Sequence, residues 1–274
     1  MNEALVDLLK NQKKTEYKFE GVDKLQLLED LLLDIGIHDS HIRDELIYPV
    51  LAHLLHDSHF DKEMLVDISK RLISQEFMMF DLDNDIEFSA LIRTFTMLQL
   101  TILVYVHNRD GLYNKHEFKE LFDGLVQYYK LETDLRGFDK RVGFIHSVAH
   151  AADTFNQIVK AKEIEEYQLR IIFDIINEKF EVDHYVYTND EDERTVNVLE
   201  SMIKLKKLDN DFLLSWIDLV SDYNRPKTYP EVYNININIK SLLRSLYFRF
   251  IYDPEYDFLT EKIKEVLNSK VKLR

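Results

Sequence analysis

Leu25-Gln-Leu-Leu-Glu-Asp-Leu-Leu-Leu-Asp-Ile-Gly-Ile-His-Asp-Ser-His-Ile-Arg-Asp-Glu-Leu46 sets the architecture. Leu25, Leu28, Leu31 and Leu32 recur at the three- and four-residue spacing that lines one face of an α-helix. Gly36 ends that helix and Asp39 stands ready to cap the next one, so the stretch reads as a helix, its exit and the start of a partner. Working outward, the same periodicity predicts helices over about 43–56, 62–77, 88–107, 116–131, 144–160, 164–180, 193–208, 211–222 and 233–252. A further helix follows Pro254, and the N-terminal Met-Asn-Glu-Ala-Leu-Val-Asp-Leu-Leu-Lys reads as an amphipathic first helix rather than a signal peptide.

Composition agrees with this pattern. Six glycines and four prolines in 274 residues leave few residues that break helices or form tight turns, which favours an all-α fold. Asp39-Ser-His-Ile-Arg43 and Asp190-Glu-Asp-Glu-Arg194 each set an Arg four residues after a capping Asp, in the manner of the helix openings of HEAT-type repeats. No fixed repeat length persists. The expected fold is therefore an irregular αα-superhelix, a HEAT-like solenoid, with a compact helical bundle as the alternative. No Pro-, Ser- or Gly-rich linker divides the chain, so residues 1–274 read as one helical domain.

Fifty acidic residues against thirty-five Lys and Arg give a formal net charge of −15, which repels a phosphate backbone, so nucleic acid is not an expected partner. The chain has no cysteine, which removes disulfides, thiolate nucleophiles and Cys-ligated zinc, and fits a reducing cytoplasm. The most apolar run, Met97 to Val106, is interrupted by Gln99 and Thr101 and falls short of the roughly 20 residues of a spanning helix. It reads as a buried helix, and no membrane association is expected.

Asp134-Leu-Arg-Gly-Phe-Asp-Lys-Arg-Val-Gly-Phe-Ile-His-Ser-Val-Ala-His-Ala-Ala-Asp153 carries the densest set of functional residue types. On a continuous helix His146, His150 and Asp153 share one face, where two imidazoles and a carboxylate suit a facial metal triad or a proton relay. Ala149, Ala151 and Ala152 permit close helix packing, so the same polar stripe also suits a bracing network whose hydrogen bonds are all internal. Arg93, Arg136, Arg194 and Arg244 form a second set. Each lies among apolar helical residues, where it either joins a buried ion pair or converges with His146 on a groove for an anionic ligand or acidic peptide.

Other motifs carry less. Asp81-Leu-Asp-Asn-Asp85 opens like a calcium loop, but Ile86 and Ile92 stand where an EF-hand needs Gly and a bidentate Glu. His53, His56 and His59 can offer two imidazoles to a metal, yet only Asp57 lies nearby, and structural histidines are favoured. The single Trp216 reads as core. Gly-rich phosphate loops, a Gly-x-Ser-x-Gly elbow and a His-Glu-x-x-His helix are all missing from the sequence. No cofactor is implied.

Six segments together resemble the bacterial family named domain of unknown function 2785. They are Asp39-Ser-His-Ile-Arg-Asp-Glu-Leu, Ile92-Arg-Thr-Phe-Thr, Asp134-Leu-Arg-Gly-Phe, Phe144-Ile-His-Ser-Val-Ala-His-Ala-Ala-Asp, Asp192-Glu-Arg and Asn238-Ile-Lys-Ser-Leu-Leu-Arg-Ser-Leu-Tyr. The resemblance implies a helical protein and supplies no catalytic residues. The sequence therefore leads to a cytoplasmic helical module that binds a protein or peptide, with the His146 segment near its groove. Two alternatives accompany it: a metal-assisted hydrolase using His146, His150 and Asp153, and a purely structural helical protein.

Overall fold

A computed structural model describes residues 1–57, 59–82, 86–222 and 228–269. Among them the chain is mostly helical, with one two-stranded hairpin, so the all-α expectation holds. Contacts divide it into two units, Met1–Lys162 and Glu163–Arg274.

The first unit comprises α1 (Glu3–Lys14), α2 (Lys24–Leu33), the short α3 (Ser40–Ile42), a π-helical turn (Arg43–Ile47), α4 (Tyr48–His56), α5 (Lys62–Leu72), α6 (Ala90–Asp110), α7 (Lys115–Leu131), strands β1 (Phe138–Asp139) and β2 (Gly143–Phe144), and α8 (Ser147–Ile158). Side chains of Asn2, Asp23, Asp39, Asp61 and Asn114 accept first-turn amide hydrogens and so fix where their helices begin. Alternate helices touch in a ladder, α2 to α4, α4 to α6 and α6 to α8, while α5 packs on α6 and α7 on α8.

By length and composition α6 is long and apolar enough to cross a membrane. Here it is the buried helix that the Met97 to Val106 run foretold, with Leu91, Leu100, Leu103 and Val104 wholly enclosed. Small buried residues on α8, Ala149 and Ala152 among them, let its backbone come close to α6. Thr154 on α8 donates to the Met97 carbonyl at 3.0 Å and lies 2.9 Å from the Thr101 hydroxyl, which locks the two helices in register.

Three local expectations need correction. The helix expected over 62–77 ends at Leu72, and residues 73–82 turn back on themselves, Met78 donating its amide to the Leu72 carbonyl. The helix expected from 144 begins only at Ser147, because Gly143 takes a left-handed backbone (φ 79°) and opens the second strand of a hairpin that includes Phe144. Asp39 does cap its helix, but Asp190 has a left-handed backbone (φ 74°) that turns its side chain from the free amides, so it makes no cap bond.

The second unit comprises α9 (Glu166–Phe180), α10 (Glu191–Lys204), α11 (Asn210–Ser221), α12 (Glu231–Phe250), a 3-10 turn (Pro254–Tyr256) and α13 (Asp257–Ser269). Again alternate helices meet, α10 with α12 and α11 with α13. Trp216 is core as expected, its indole N–H donating to the Phe173 carbonyl at 3.3 Å. Asn238 is buried and holds the 182–187 connection: its Oδ1 accepts from the Tyr187 amide and its Nδ2 donates to the Tyr185 carbonyl.

Candidate functional site

Among the described residues, the hairpin between α7 and α8 is the one strand pairing, and it displays side chains outside the helices. β1 and β2 pair antiparallel, with Phe138 opposite Phe144 and Asp139 opposite Gly143. The two phenyl rings meet edge to face at 5.2 Å, and both remain about half exposed, at 47% and 46%. Strands of two residues cannot hold such a display unaided.

Arg43 holds it. The side chain is wholly buried and reaches the hairpin from the π-helical turn. Its Nη2 donates to the Val142 carbonyl at 2.8 Å and more distantly to that of Phe144 at 3.4 Å. Nη1 donates to the Ile37 carbonyl at 2.9 Å and Nε to Asp44 at 2.9 Å, while the guanidinium lies 4.5 Å over the Phe95 ring. Burial lowers the pKa of Arg43 and raises that of Asp44, so desolvation outweighs the attraction within the pair. The three backbone carbonyls supply the remaining acceptors. Gly143 fits because it lacks a side chain: a Cβ there would stand 2.9 Å from Ser40 Cβ.

A second support is Phe88, buried in a left-handed backbone (φ 65°). The guanidinium groups of Arg136 and Arg141 lie 5.1 and 4.5 Å from its ring centroid, and His38 meets it edge-on at 5.2 Å. Arg136 donates twice to Asp134, from Nε at 2.8 Å and Nη2 at 2.5 Å, and its Nη1 reaches Asp139 at 3.5 Å. Arg141 bridges Asp139 and Glu87. Its side-chain bonds, then its backbone amide, hold the Asp139 carboxyl down at about 2. Exposed rings thus sit beside a rim whose charges pair among themselves.

The sequence-predicted residues fall as follows. Arg136 and His146 both belong to this region. His146 occupies the N-cap position of α8 with a left-handed backbone (φ 55°) and no side-chain cap bond, its ring 4.5 Å from Phe144 and edge-on to His150 at 5.5 Å. His150 is buried, and its Nδ1 lies 3.2 Å from the Thr94 carbonyl. A carbonyl only accepts, so Nδ1 carries the proton. The metal reading of His146, His150 and Asp153 is not supported: among the described residues no three His, Asp or Glu side chains can hold a metal ion together. The physical reason is that His146 precedes the helix, so the three do not share the helical face that their spacing implied.

Arg93 is occupied as a buried strut. It grips both carboxylate oxygens of Glu132, at 2.7 and 2.8 Å, and also donates to Ser89 Oγ and the Phe80 carbonyl. Arg194, half-buried on α10, and Arg244, exposed on α12, belong to the second unit. Asp57 takes both His53 and His56, at 2.7 and 2.5 Å, and Tyr17 stacks on His53, so these histidines are spent on structure. Residues 83–85 of the calcium-like loop and 224–227 of the proline loop lie outside the described residues.

Arg43, Phe88, Phe138, Phe144 and Arg141 did not stand out in the sequence as site residues. One signal for the hairpin was present: two of the six glycines, Gly137 and Gly143, bracket five residues, and each precedes a phenylalanine.

These features define an all-helical protein that carries a clamped aromatic hairpin. The chain belongs to the family described as Protein of unknown function (DUF2785), whose sequence profile matches residues 78–248, hairpin included. No curated protein and no solved structure matches it.

Proposed function

We propose that the chain is a protein- or peptide-binding module that works in the cytoplasm, and that the Phe138–Phe144 pair is its contact point. The carrying observation is the exposed edge-to-face pair held in place by buried Arg43. Binding hot spots are aromatic groups on rigid supports ringed by polar groups that exclude water, and this hairpin has that anatomy. The rim's acidic and basic groups are matched to each other, so the partner presents an apolar side chain to the two rings. A HEAT-like αα-solenoid is the fold reading that accompanies this role. Its support is the contact between alternate helices in each unit, the arrangement that stacked helix pairs produce.

The test places a photo-crosslinking amino acid at exposed Lys140 on the hairpin, with exposed Lys18 as control site. A partner captured only from the hairpin position is then purified and titrated against wild type and Phe138→Ala/Phe144→Ala. Loss of affinity by more than roughly tenfold is expected for removal of a hot-spot pair. Equal affinity in a folded double variant refutes the assignment.

A further inference from the structure

Within the first unit, away from the hairpin, a half-open cavity of about 150 Å³ lies between the ends of α4 and α6 and the start of α5. Its walls include Leu55, Leu65, Val106 and Leu112, all buried. Lys62 and Arg109 supply cations at its lining, and Asp110 the only lining carboxylate. Arg109 spends its charge on Asp110 at 2.7 Å and also donates to the His56 carbonyl. The His56 ring is fixed as well, with Nδ1 on Asp57 and Nε2 facing Arg109 at 3.3 Å. The neighbouring Asp61 carboxylate is turned to the Met64 amide of its own helix.

Lys62 differs from these. Its ammonium donates to the Gly111 carbonyl, and among the described residues it has no carboxylate partner, although the chain carries fifteen more negative than positive charges. An ammonium has three donors, so the recorded bond leaves two for a ligand. The cavity therefore joins an apolar wall to the exposed Lys62 at its lining, whose charge has no carboxylate partner among the described residues.

We propose that this cavity binds a small monocarboxylic acid with an apolar body, its carboxylate on Lys62 and its body against Leu55, Leu65, Val106 and Leu112. The size is informative, since a leucine-lined cavity of about 150 Å³ accommodates a benzene ring. A benzoate-sized acid matches both the wall and the charge, whereas a long-chain acid exceeds the volume.

Benzoate is the probe, titrated into the full chain while amide chemical shifts are followed. Shifts concentrated at residues 55–65 and 106–112 are expected. Benzyl alcohol, with the same ring and no charge, and inorganic phosphate, with charge and no ring, should each bind at least roughly tenfold more weakly, the scale of one charged hydrogen bond. Lys62→Met, which keeps the apolar stem, should weaken benzoate by a similar factor. Absence of benzoate binding overturns the proposal, as does shift elsewhere, equal affinity for benzyl alcohol or for phosphate, or full affinity in a folded Lys62→Met protein. If thermal melting shows that Lys62→Met does not fold, Lys62→Gln takes its place, and the three-ligand comparison on wild type decides the matter without either variant.

Discussion

Replacing Arg43 with methionine tests whether one buried guanidinium holds the hairpin. Methionine keeps the apolar stem under Phe95 and removes every donor. Two short bonds, to the Val142 and Ile37 carbonyls at 2.8 and 2.9 Å, are lost along with the bond to Asp44. Hydrogen bonds from a charged donor contribute about 1.5–3 kcal/mol each, so the two carbonyl bonds amount to about 3–6 kcal/mol. The variant no longer buries the guanidinium, which returns part of this even though Asp44 loses its partner, and the expected net cost is about 3 kcal/mol, at the low end of the range. The amides of Ile145 and His146 report it directly, because both donate to the Gly137 carbonyl at the hairpin base. At about 1.4 kcal/mol per decade their hydrogen-exchange protection should fall by roughly a hundredfold. Amides of α13, in the other unit, serve as the internal control. Protection at Ile145 and His146 within roughly threefold of wild type refutes the clamp, since a local opening energy then does not depend on Arg43.

Three further outcomes follow from the same geometry. Gly143→Ala forces a side chain into a left-handed backbone and against Ser40, and should cost about 1–3 kcal/mol, read as earlier urea unfolding of the hairpin amides by exchange. Arg93→Met strands the Glu132 carboxylate and should cost about 3–5 kcal/mol, whereas Arg93→Met with Glu132→Leu should recover much of the loss. Recovery stays incomplete because the Asp134 amide also uses Glu132 as its acceptor, and calorimetry of wild type, Arg93→Met, Glu132→Leu and the double variant closes the cycle. Asp139 should titrate near pH 2 by carboxyl carbon NMR, against about 3.9 for a free aspartate. Its folded pKa is depressed, so the stabilisation it gives is complete above the unfolded value and drains away as the pH falls from about 4 toward 2. In Arg141→Gln the midpoint should rise toward the free value, and an unchanged midpoint would contradict the assignment of that shift to Arg141.

The helical fold was legible because period and capping are local. Leu28, Leu31 and Leu32 are buried where their spacing put them, although Leu25 in the first turn stays exposed, and Asp39 caps where its position suggested. The site was much less legible. The spacing of His146, His150 and Asp153 is genuine helix spacing, but it applies only if the helix has already begun, and the left-handed backbone at His146 starts it one residue later. Arg93 and Arg136 were visible as buried or half-buried arginines needing acceptors, and both found internal ones. Nothing local marks Phe138 and Phe144 as exposed partners, since period-two alternation over two-residue strands is too short to register.

Sequence distance explains why Arg43 escaped notice, and long-range bonds of this kind also draw together the six separated segments, of which Asp39 to Leu46 lies outside the residues that the family profile matches. The bond from Arg43 to the Val142 carbonyl spans 99 residues, a contact that no local pattern encodes. Through it the Asp39 to Leu46 segment meets the hairpin that the Asp134 and Phe144 segments flank. Arg93, from the Ile92 segment, grips Glu132, which accepts the Asp134 amide and so braces the entrance to the same hairpin. Four of the six segments therefore converge on one small structure. The other two do the same in the second unit, where Ser245 of the Asn238 segment donates to Asp192 at 2.8 Å and joins α12 to α10. Two-residue strands gain little from their own ladder, so the hairpin's geometry is set by arginines drawn from helices far along the chain. A hairpin built that way keeps its phenyl rings in fixed relation to the helices behind them, which is what the proposed binding role needs to avoid a large ordering cost.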